Sequence, residues 1–239
     1  ADAAPAYLVA DLNPEPVADS DSAPRGFVTL DGVAYFAADD GLLGRELWRS
    51  DGTAAGTRLV RDINPGQGWS SPQALTVIGD EVWFRAWDDR QGCGVWSSDG
   101  SRDGTRLVRA VHTDRLACAH DDADGGQPTG FTALGAAVLF AAAQPALGHE
   151  LWRSDGTAAG TAPLADIWPG ELSGAPHALT ELDGVLYFFA DDGSHGTELW
   201  RSDGTAAGTR QVRDILPGAG AAIPVGALAP PGGASLAVA

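Results

Sequence analysis

Short runs of apolar residues alternate with polar turns along nearly the whole chain, and the turns are rich in glycine, aspartate and proline. The runs FVTL and VAYFA have the length of strands, and they are joined at Asp31-Gly32, a dipeptide that favours a tight β-hairpin. No stretch shows the periodicity of an amphipathic helix. The pattern therefore predicts an all-β protein built from short strands.

The strand pattern repeats around the segment ELWRSDGT. This segment stands at residues 46–53, 150–157 and 198–205, and an altered copy, VWSSDGS, stands at 95–101. The four tryptophans of these copies are Trp48, Trp96, Trp152 and Trp200, which are 48, 56 and 48 residues apart. A repeat of this kind cannot bury its apolar face alone, and its length is close to the roughly 40–50 residues of propeller repeats. The spacing predicts one four-stranded propeller blade per repeat.

We expect a single domain over residues 1–239 with five repeats, at about 7–50, 57–98, 105–154, 161–202 and 209–239. Each repeat is taken to begin at the strand after the Asp-Gly turn, such as LVRDI, which the N-terminal segment YLVADLNP also matches. With this choice the last repeat lacks only an outermost strand, whereas a missing middle strand would leave unpaired backbone groups. The sequence favours a five-bladed β-propeller with an incomplete last blade, and a four-bladed ring is the alternative.

Residues repeated in every copy need a cause that acts throughout the fold. We therefore expect the four repeated tryptophans to pack between blades. The turn residues Asp51, Asp99, Asp155 and Asp203 are expected to accept hydrogen bonds from backbone N–H groups of their own turns.

Composition limits the kinds of binding partner and the cellular compartment that we expect. The net charge of -17 argues against nucleic acid as a partner, and no apolar run is long enough to span a membrane. The first residues, ADAAPA, resemble what remains after signal-peptide cleavage, which predicts a secreted protein. In that compartment Cys93 and Cys118 are expected to form a disulfide, with two buried free thiols as the alternative.

Acidic residues surround tight glycine turns in the first and fourth copies. They are Asp39, Asp40 and Glu46 in the first copy, and Asp191, Asp192 and Glu198 in the fourth. Calcium prefers such oxygen ligands, so a calcium site is one hypothesis and solvated hairpin carboxylates are the other. The second copy has Gly94 at the glutamate position, and the third has Ala143 and Gln144 at the aspartate positions. Calcium is therefore not expected in every repeat.

Three tryptophans lie outside the repeated positions. Trp69 and Trp168 stand in connections rich in proline and glycine, and Trp87 stands at the end of a hairpin. Their flat faces suit stacking on a sugar or anchoring a protein partner, and packing under their own loops is the alternative. The insertion at 113–126 also breaks the repeat, and it is interpreted either as a tolerated surface loop or as a second candidate site.

Motifs of catalysis are missing. The five histidines are scattered, and no Gly-x-Ser-x-Gly elbow or cysteine nucleophile motif occurs. A glycosidase-like propeller would need carboxylates that converge on a central channel. The repeated acids offered for that role, taken to lie on inner strands, are Asp11, Asp62, Asp166 and Asp214.

The run ELWRSDGT followed by AAGT resembles the ELWxxDGT (hyalin-like) repeat family of bacterial secreted and cell-surface proteins. The resemblance covers nearly the whole chain and implies an extracellular, propeller-like module without an established activity. We therefore expect a non-catalytic, lectin-like or adhesin-like binding module for a glycan or protein ligand. A propeller hydrolase and a structural repeat of a larger surface assembly are the alternatives.

Overall fold

The computed structural model describes residues 8–13, 21–66, 68–113 and 127–218, and these residues form four antiparallel sheets of four strands each. Sheet 1 contains β1 (Arg25–Leu30), β2 (Val33–Asp39), β3 (Arg45–Ser50) and β4 (Arg58–Arg61). Sheet 2 contains β5 (Gln73–Ile78), β6 (Glu81–Asp88), β7 (Gly92–Ser98) and β8 (Arg106–His112). Sheet 3 contains β9 (Thr129–Leu134), β10 (Ala137–Gln144), β11 (Gly148–Ser154) and β12 (Ala162–Ala165). Sheet 4 contains β13 (His177–Leu182), β14 (Val185–Asp191), β15 (Thr197–Ser202) and β16 (Arg210–Arg213).

The first hairpin of a sheet follows from the turn dipeptide. Asp31 and Gly32 have φ angles of 51° and 77°, and Asp183 and Gly184 have φ angles of 52° and 77°. Positive φ at both central residues is the requirement of a type I′ turn, whose twist matches that of the flanking strands. The hairpin predicted at Asp31-Gly32 is therefore confirmed.

The predicted starting point of the repeats is wrong by one strand. β4 pairs with β3, with Leu59 opposite Trp48, so the strand around Leu59 closes sheet 1 instead of opening the next blade. The Ser-Asp-Gly-Thr turn is a hairpin loop, and a hairpin loop joins neighbouring strands of one sheet. The longer Pro/Gly-rich connection at 62–72 leads to sheet 2 instead, so it marks the true boundary between blades.

Successive sheets pack face to face through the same positions each time. Phe84, Ala86 and Trp96 of sheet 2 form a buried cluster with Leu47 and Val60 of sheet 1. The equivalent triads of the next two sheets are Phe140, Ala142 and Trp152, and Phe188, Ala190 and Trp200. Each triad packs against the sheet before it in the chain. The predicted packing between sheets is therefore confirmed for Trp96, Trp152 and Trp200, while Trp48 packs with Phe36, Ala38, Leu59 and the N-terminal Leu12.

The first strands of successive sheets contact one another, so they line the inner side of the stack and the fourth strands lie outside. This arrangement confirms the all-β prediction and is propeller-like. None of the core clusters formed by the described residues joins sheet 4 to sheet 1. Within the same residues there is no helix long and apolar enough to cross a bilayer.

Candidate functional site

The turn between the third and fourth strands of each sheet is held by its own side chains. Asp51 Oδ1 accepts hydrogen bonds from the Thr53 N–H at 3.0 Å and from the Thr53 hydroxyl at 2.7 Å. Ser50 and Thr57 hydroxyls lie 2.7 Å apart and join the two ends of the turn. A Cβ at Gly56 would lie 1.9 Å from the Asp51 carboxylate, which explains the second glycine of the motif. The segment SDGTAAGT is therefore a self-contained hairpin loop.

The aspartates of the other three turns make the same contact. Asp99, Asp155 and Asp203 each accept the N–H two residues ahead, at 2.8 to 2.9 Å. The hydroxyl of the Thr or Ser two residues ahead also donates to each carboxylate, as it does to Asp51. The hydroxyl hydrogen bond, followed by the backbone one, holds the pKa of all four carboxyls below its usual value. The structural role predicted for the four aspartates is confirmed.

The glutamate of ELW has a role that the sequence did not reveal. Glu46 on β3 is fully buried, and its carboxylate accepts hydrogen bonds from backbone N–H groups of the connection to sheet 2. The donors are Ile63 N at 2.9 Å, Asn64 N at 3.4 Å, Ser70 N at 3.1 Å and the Ser70 hydroxyl at 2.6 Å. One side chain therefore fixes both ends of the connection.

The glutamates of the third and fourth sheets repeat this arrangement. Glu150 accepts hydrogen bonds from Ile167 N at 2.8 Å and Gly174 N at 2.7 Å. Glu198 accepts them from Ile215 N and Leu216 N, both at 3.1 Å. Sheet 2 lacks the glutamate, and a Cβ at Gly94 would lie 2.7 Å from the Arg109 carbonyl oxygen, so no side chain fits there.

Burial changes the acidity of two of these carboxyls. Desolvation raises the pKa of Glu46 and of Glu150 to about 7, and the hydrogen bonds from Ser70 and from the backbone act in the opposite direction. The carboxyls consequently titrate near neutral pH.

The six acidic residues offered as calcium ligands accept hydrogen bonds within the protein. Asp39 and Asp40 accept N–H groups of their own turn, as Asp191 and Asp192 do, and Asp192 also pairs with His195 at 2.8 Å. Glu46 and Glu198 are engaged with the connections. Within the described residues, no group of three or more His, Cys, Asp or Glu side chains is placed to hold a metal ion.

The acids offered for a hydrolase do not lie on inner strands. Asp62, Asp166 and Asp214 follow β4, β12 and β16, which are the outermost strands of their sheets. Each begins a connection on the outside of a different sheet, and Asp11 precedes sheet 1. The predicted placement of these acids is wrong, for the same reason as the predicted repeat bounds.

Trp87 belongs to the core rather than to a binding surface. Its side chain is buried in contact with Cys93, and its indole N–H donates to Asp89 Oδ1 at 2.7 Å. Cys93 is buried too, and no free cysteine is present among the described residues. The expected partner Cys118 and most of the insertion at 113–126 lie outside those residues, so the disulfide stays a prediction.

Trp69 and Trp168 lie at one end of the sheets, where the turns after β2 and β14 meet the connections between sheets. We call this end the connection face. Trp168 is partly buried, and a Cβ at Gly193 would lie 2.4 Å from its indole. Trp69 lies against Gly44 in the same manner, yet 58% of it is exposed. Of the three predicted tryptophans, Trp69 alone combines a fixed position with an open aromatic surface.

Comparisons with known proteins give similarity only among solved structures. No family model matches the chain, and no curated protein does. A putative TolB from Agrobacterium tumefaciens is 14% identical, with 78% of this chain and 63% of that chain covered and a TM-score of 0.43. A puromycin hydrolase mutant is 18% identical, with 79% and 30% covered and a TM-score of 0.48. A GH74 xyloglucanase from Xanthomonas campestris is 17% identical, with 77% and 29% covered and a TM-score of 0.35. The chain thus spans less than two thirds of each of these proteins.

Proposed function

We propose that this protein is a non-catalytic, secreted or cell-surface β-propeller that binds a glycan through its connection face. The observation that carries the proposal is the exposed indole of Trp69, which lies against Gly44. A flat aromatic face stacks on the apolar face of a sugar ring, and an indole adds a polar edge that can hydrogen-bond.

The surroundings of Trp69 hold it in place before any ligand arrives. The next residue, Ser70, donates its N–H and its hydroxyl to Glu46, and its carbonyl accepts the Trp87 N–H at 2.8 Å. The indole fills the space above Gly44, where a Cβ would lie 2.1 Å from it. A binding group that is already ordered loses little conformational entropy on binding.

We expect Trp69→Ala to abolish most glycan binding. The wild-type protein is applied to a glycan array and to insoluble cellulose, xylan, mannan and chitin, and the bound fraction is measured. Loss of the aromatic platform should lower that fraction at least about fivefold, whereas Trp69→Phe should keep a good part of it.

Leu172→Ala is the matched control, because Leu172 is also an exposed apolar residue but lies on the connection between sheets 3 and 4. Equal losses with Trp69→Ala and Leu172→Ala would attribute the binding to general surface hydrophobicity. Binding that survives Trp69→Ala, or no binding to any glycan, would contradict the proposal and point to a protein ligand.

We also propose that the propeller has five blades, with residues 8–13 at the end of the blade that precedes sheet 1. Leu12 packs against Phe36, Ala38 and Trp48 of sheet 1, as Ile63 packs against the equivalent triad of sheet 2. Residues 8–13 therefore take the place of the end of a preceding blade. On the far side of the stack, the apolar face of sheet 4 supports a sheet that follows it.

The exposed apolar face of sheet 4 allows the number of blades to be tested. Val212 is 45% exposed, while the equivalent Val60 of sheet 1 is 6% exposed beneath sheet 2. We expect Val212→Ser to lower the free energy of unfolding by about 1–3 kcal/mol if a fifth sheet covers this face, as Val60→Ser should under sheet 2. A change below about 0.5 kcal/mol for Val212→Ser in urea unfolding, with a full effect for Val60→Ser, would favour an open stack.

A further inference from the structure

A cavity of about 480 Å³ lies between sheets 1 and 2, on the outer side of β4. Arg58, Arg61 and Asp62 line it from sheet 1, and Ser101 and Arg102 line it from the turn between β7 and β8. This volume lies within the range of sites that hold small ligands.

None of the three arginines forms a salt bridge with a described carboxylate, although Asp62 lines the same cavity. In the described part of the chain, Arg58, Arg61 and Arg102 form no ion pair, although the protein has 32 acidic residues against 15 basic ones. By contrast, Arg106 on the next fourth strand pairs with Glu81 at 2.6 Å. Three guanidinium groups around one cavity favour an anion, because arginine offers paired N–H donors to carboxylate and sulfate groups.

Arg61 also fixes the shape of the cavity. Its Nη1 atom donates to the Thr105 carbonyl oxygen at 2.6 Å, which ties β4 to the turn of sheet 2. The position of one guanidinium group is therefore set by the protein itself, which lowers the entropic cost of binding.

Asp62 adds a hydrogen-bond acceptor to this basic cavity. Among the described residues, its buried Oδ1 atom has no hydrogen-bond partner, and the same holds for Oδ1 of the equivalent Asp214. A buried acceptor without a partner is unfavourable, and a hydroxyl group from a ligand would satisfy it. A ligand that fits both features carries an acidic group and a hydroxyl group close together.

Among the three junctions between described sheets, only this one holds all three arginines, although Arg210, Arg213 and Asp214 occupy the equivalent positions on sheet 4. At the junction of sheets 2 and 3 the equivalent positions hold Arg106, Arg109 and Ala158. At the junction of sheets 3 and 4 all three equivalents are alanine, namely Ala162, Ala165 and Ala206. Since sheets 3 and 4 pack together with those alanines, the three arginines are not a requirement of the fold.

We propose that this cavity binds an acidic saccharide, with a carboxylate or sulfate group on the arginines and a sugar hydroxyl donating to Asp62. The inference rests on the proposed glycan-binding function and names an acidic sugar as the class of ligand, at a location separate from Trp69.

The test is a calorimetric titration with an oligogalacturonate and with its fully methyl-esterified form, in low salt with a chelator present. We expect the acid form to bind and the neutral ester to bind at least about tenfold more weakly. Arg58→Ala/Arg102→Ala should lower the affinity for the acid form at least about tenfold, and both positions accept alanine elsewhere in this fold.

The charge-matched control is Arg106→Ala/Arg109→Ala, which removes the same two charges at the next junction and should change the affinity less than about twofold. Asp62→Ala should weaken binding of the saccharide without weakening binding of inorganic sulfate.

Three results would overturn the inference: equal binding of acid and ester, equal losses in the two arginine double variants, or tighter binding of an oligoglutamate peptide of the same charge. Binding lost in Trp69→Ala but retained in Arg58→Ala/Arg102→Ala would support the proposed function and overturn this site.

Discussion

Replacing Glu46 by alanine is expected to lower the free energy of unfolding by about 3–5 kcal/mol. The carboxylate accepts the N–H groups of Ile63, Asn64 and Ser70, all of which are buried residues. Alanine leaves the Ile63 and Asn64 N–H groups without this partner, whereas the Ser70 N–H keeps the Arg45 carbonyl oxygen at 3.1 Å. Each buried unsatisfied donor costs about 1–3 kcal/mol, reduced where water enters the space left behind. Chemical denaturation followed by tryptophan fluorescence measures the change.

Glu171→Ala is the matched control, because Glu171 is an exposed glutamate on the connection between sheets 3 and 4. Glu198→Ala provides a graded comparison, since Glu198 accepts two described backbone N–H groups, from the exposed residues Ile215 and Leu216. We expect the order Glu46, then Glu198, then Glu171. An effect of Glu46→Ala no larger than that of Glu171→Ala would show that the buried hydrogen bonds do not stabilise the connection.

The repetition of residues predicted the parts of the fold that depend on local causes. The hydrogen bonds of Asp51 span two residues and occur in every copy, so a turn role could be inferred without coordinates. The packing of Trp96, Trp152 and Trp200 between sheets followed from the need of each repeat to bury an apolar face.

The role of Glu46 could not be inferred in this way. Its donors lie 17 to 24 residues away and are backbone N–H groups, which carry no mark in the sequence. An acid next to glycine turns resembles a metal ligand, and only the path of the connection distinguishes the two roles. The same limit applies to Trp87, because residue type does not tell which hairpin end is covered.

The register of the repeats, by contrast, could have been predicted from the sequence. The loop from Ser50 to Arg58 is a short turn with internal hydrogen bonds, and such a loop joins adjacent strands. The cavity lined by Arg58, Arg61 and Arg102 could not have been predicted, because its residues come from two repeats and meet only when the sheets pack.

We expect the stability of the protein to fall as the pH rises from 5 to 8. Burial raises the pKa of Glu46 and Glu150 to about 7, so the folded state binds more protons than the unfolded state above pH 4.5. Their contribution is fully present below pH 4.5 and is lost as the pH rises through about 7. A rise of this size corresponds to about 3 kcal/mol for Glu46 and to less for Glu150, whose carboxyl is less fully desolvated.

Other groups that titrate must be separated from these two. The turn carboxyls such as Asp51 have a lowered pKa, so their contribution is lost only as the pH falls below about 4. The Asp192 carboxylate raises the pKa of His195, whose contribution is also lost as the pH rises, and His195→Gln removes it.

The decisive comparison is the pH dependence of Glu46→Gln/Glu150→Gln, measured by urea unfolding at pH 5, 6, 7 and 8. The carboxamides do not titrate, so the decline in stability between pH 5 and 8 should largely disappear, whatever the absolute stability of the variant. The Ser70 hydroxyl, 2.6 Å from Glu46 Oε2, can accept a hydrogen bond from a protonated carboxyl, which makes the neutral form tolerable in the fold. A decline that persists in the double variant but vanishes in His195→Gln would assign the pH dependence to the histidine instead.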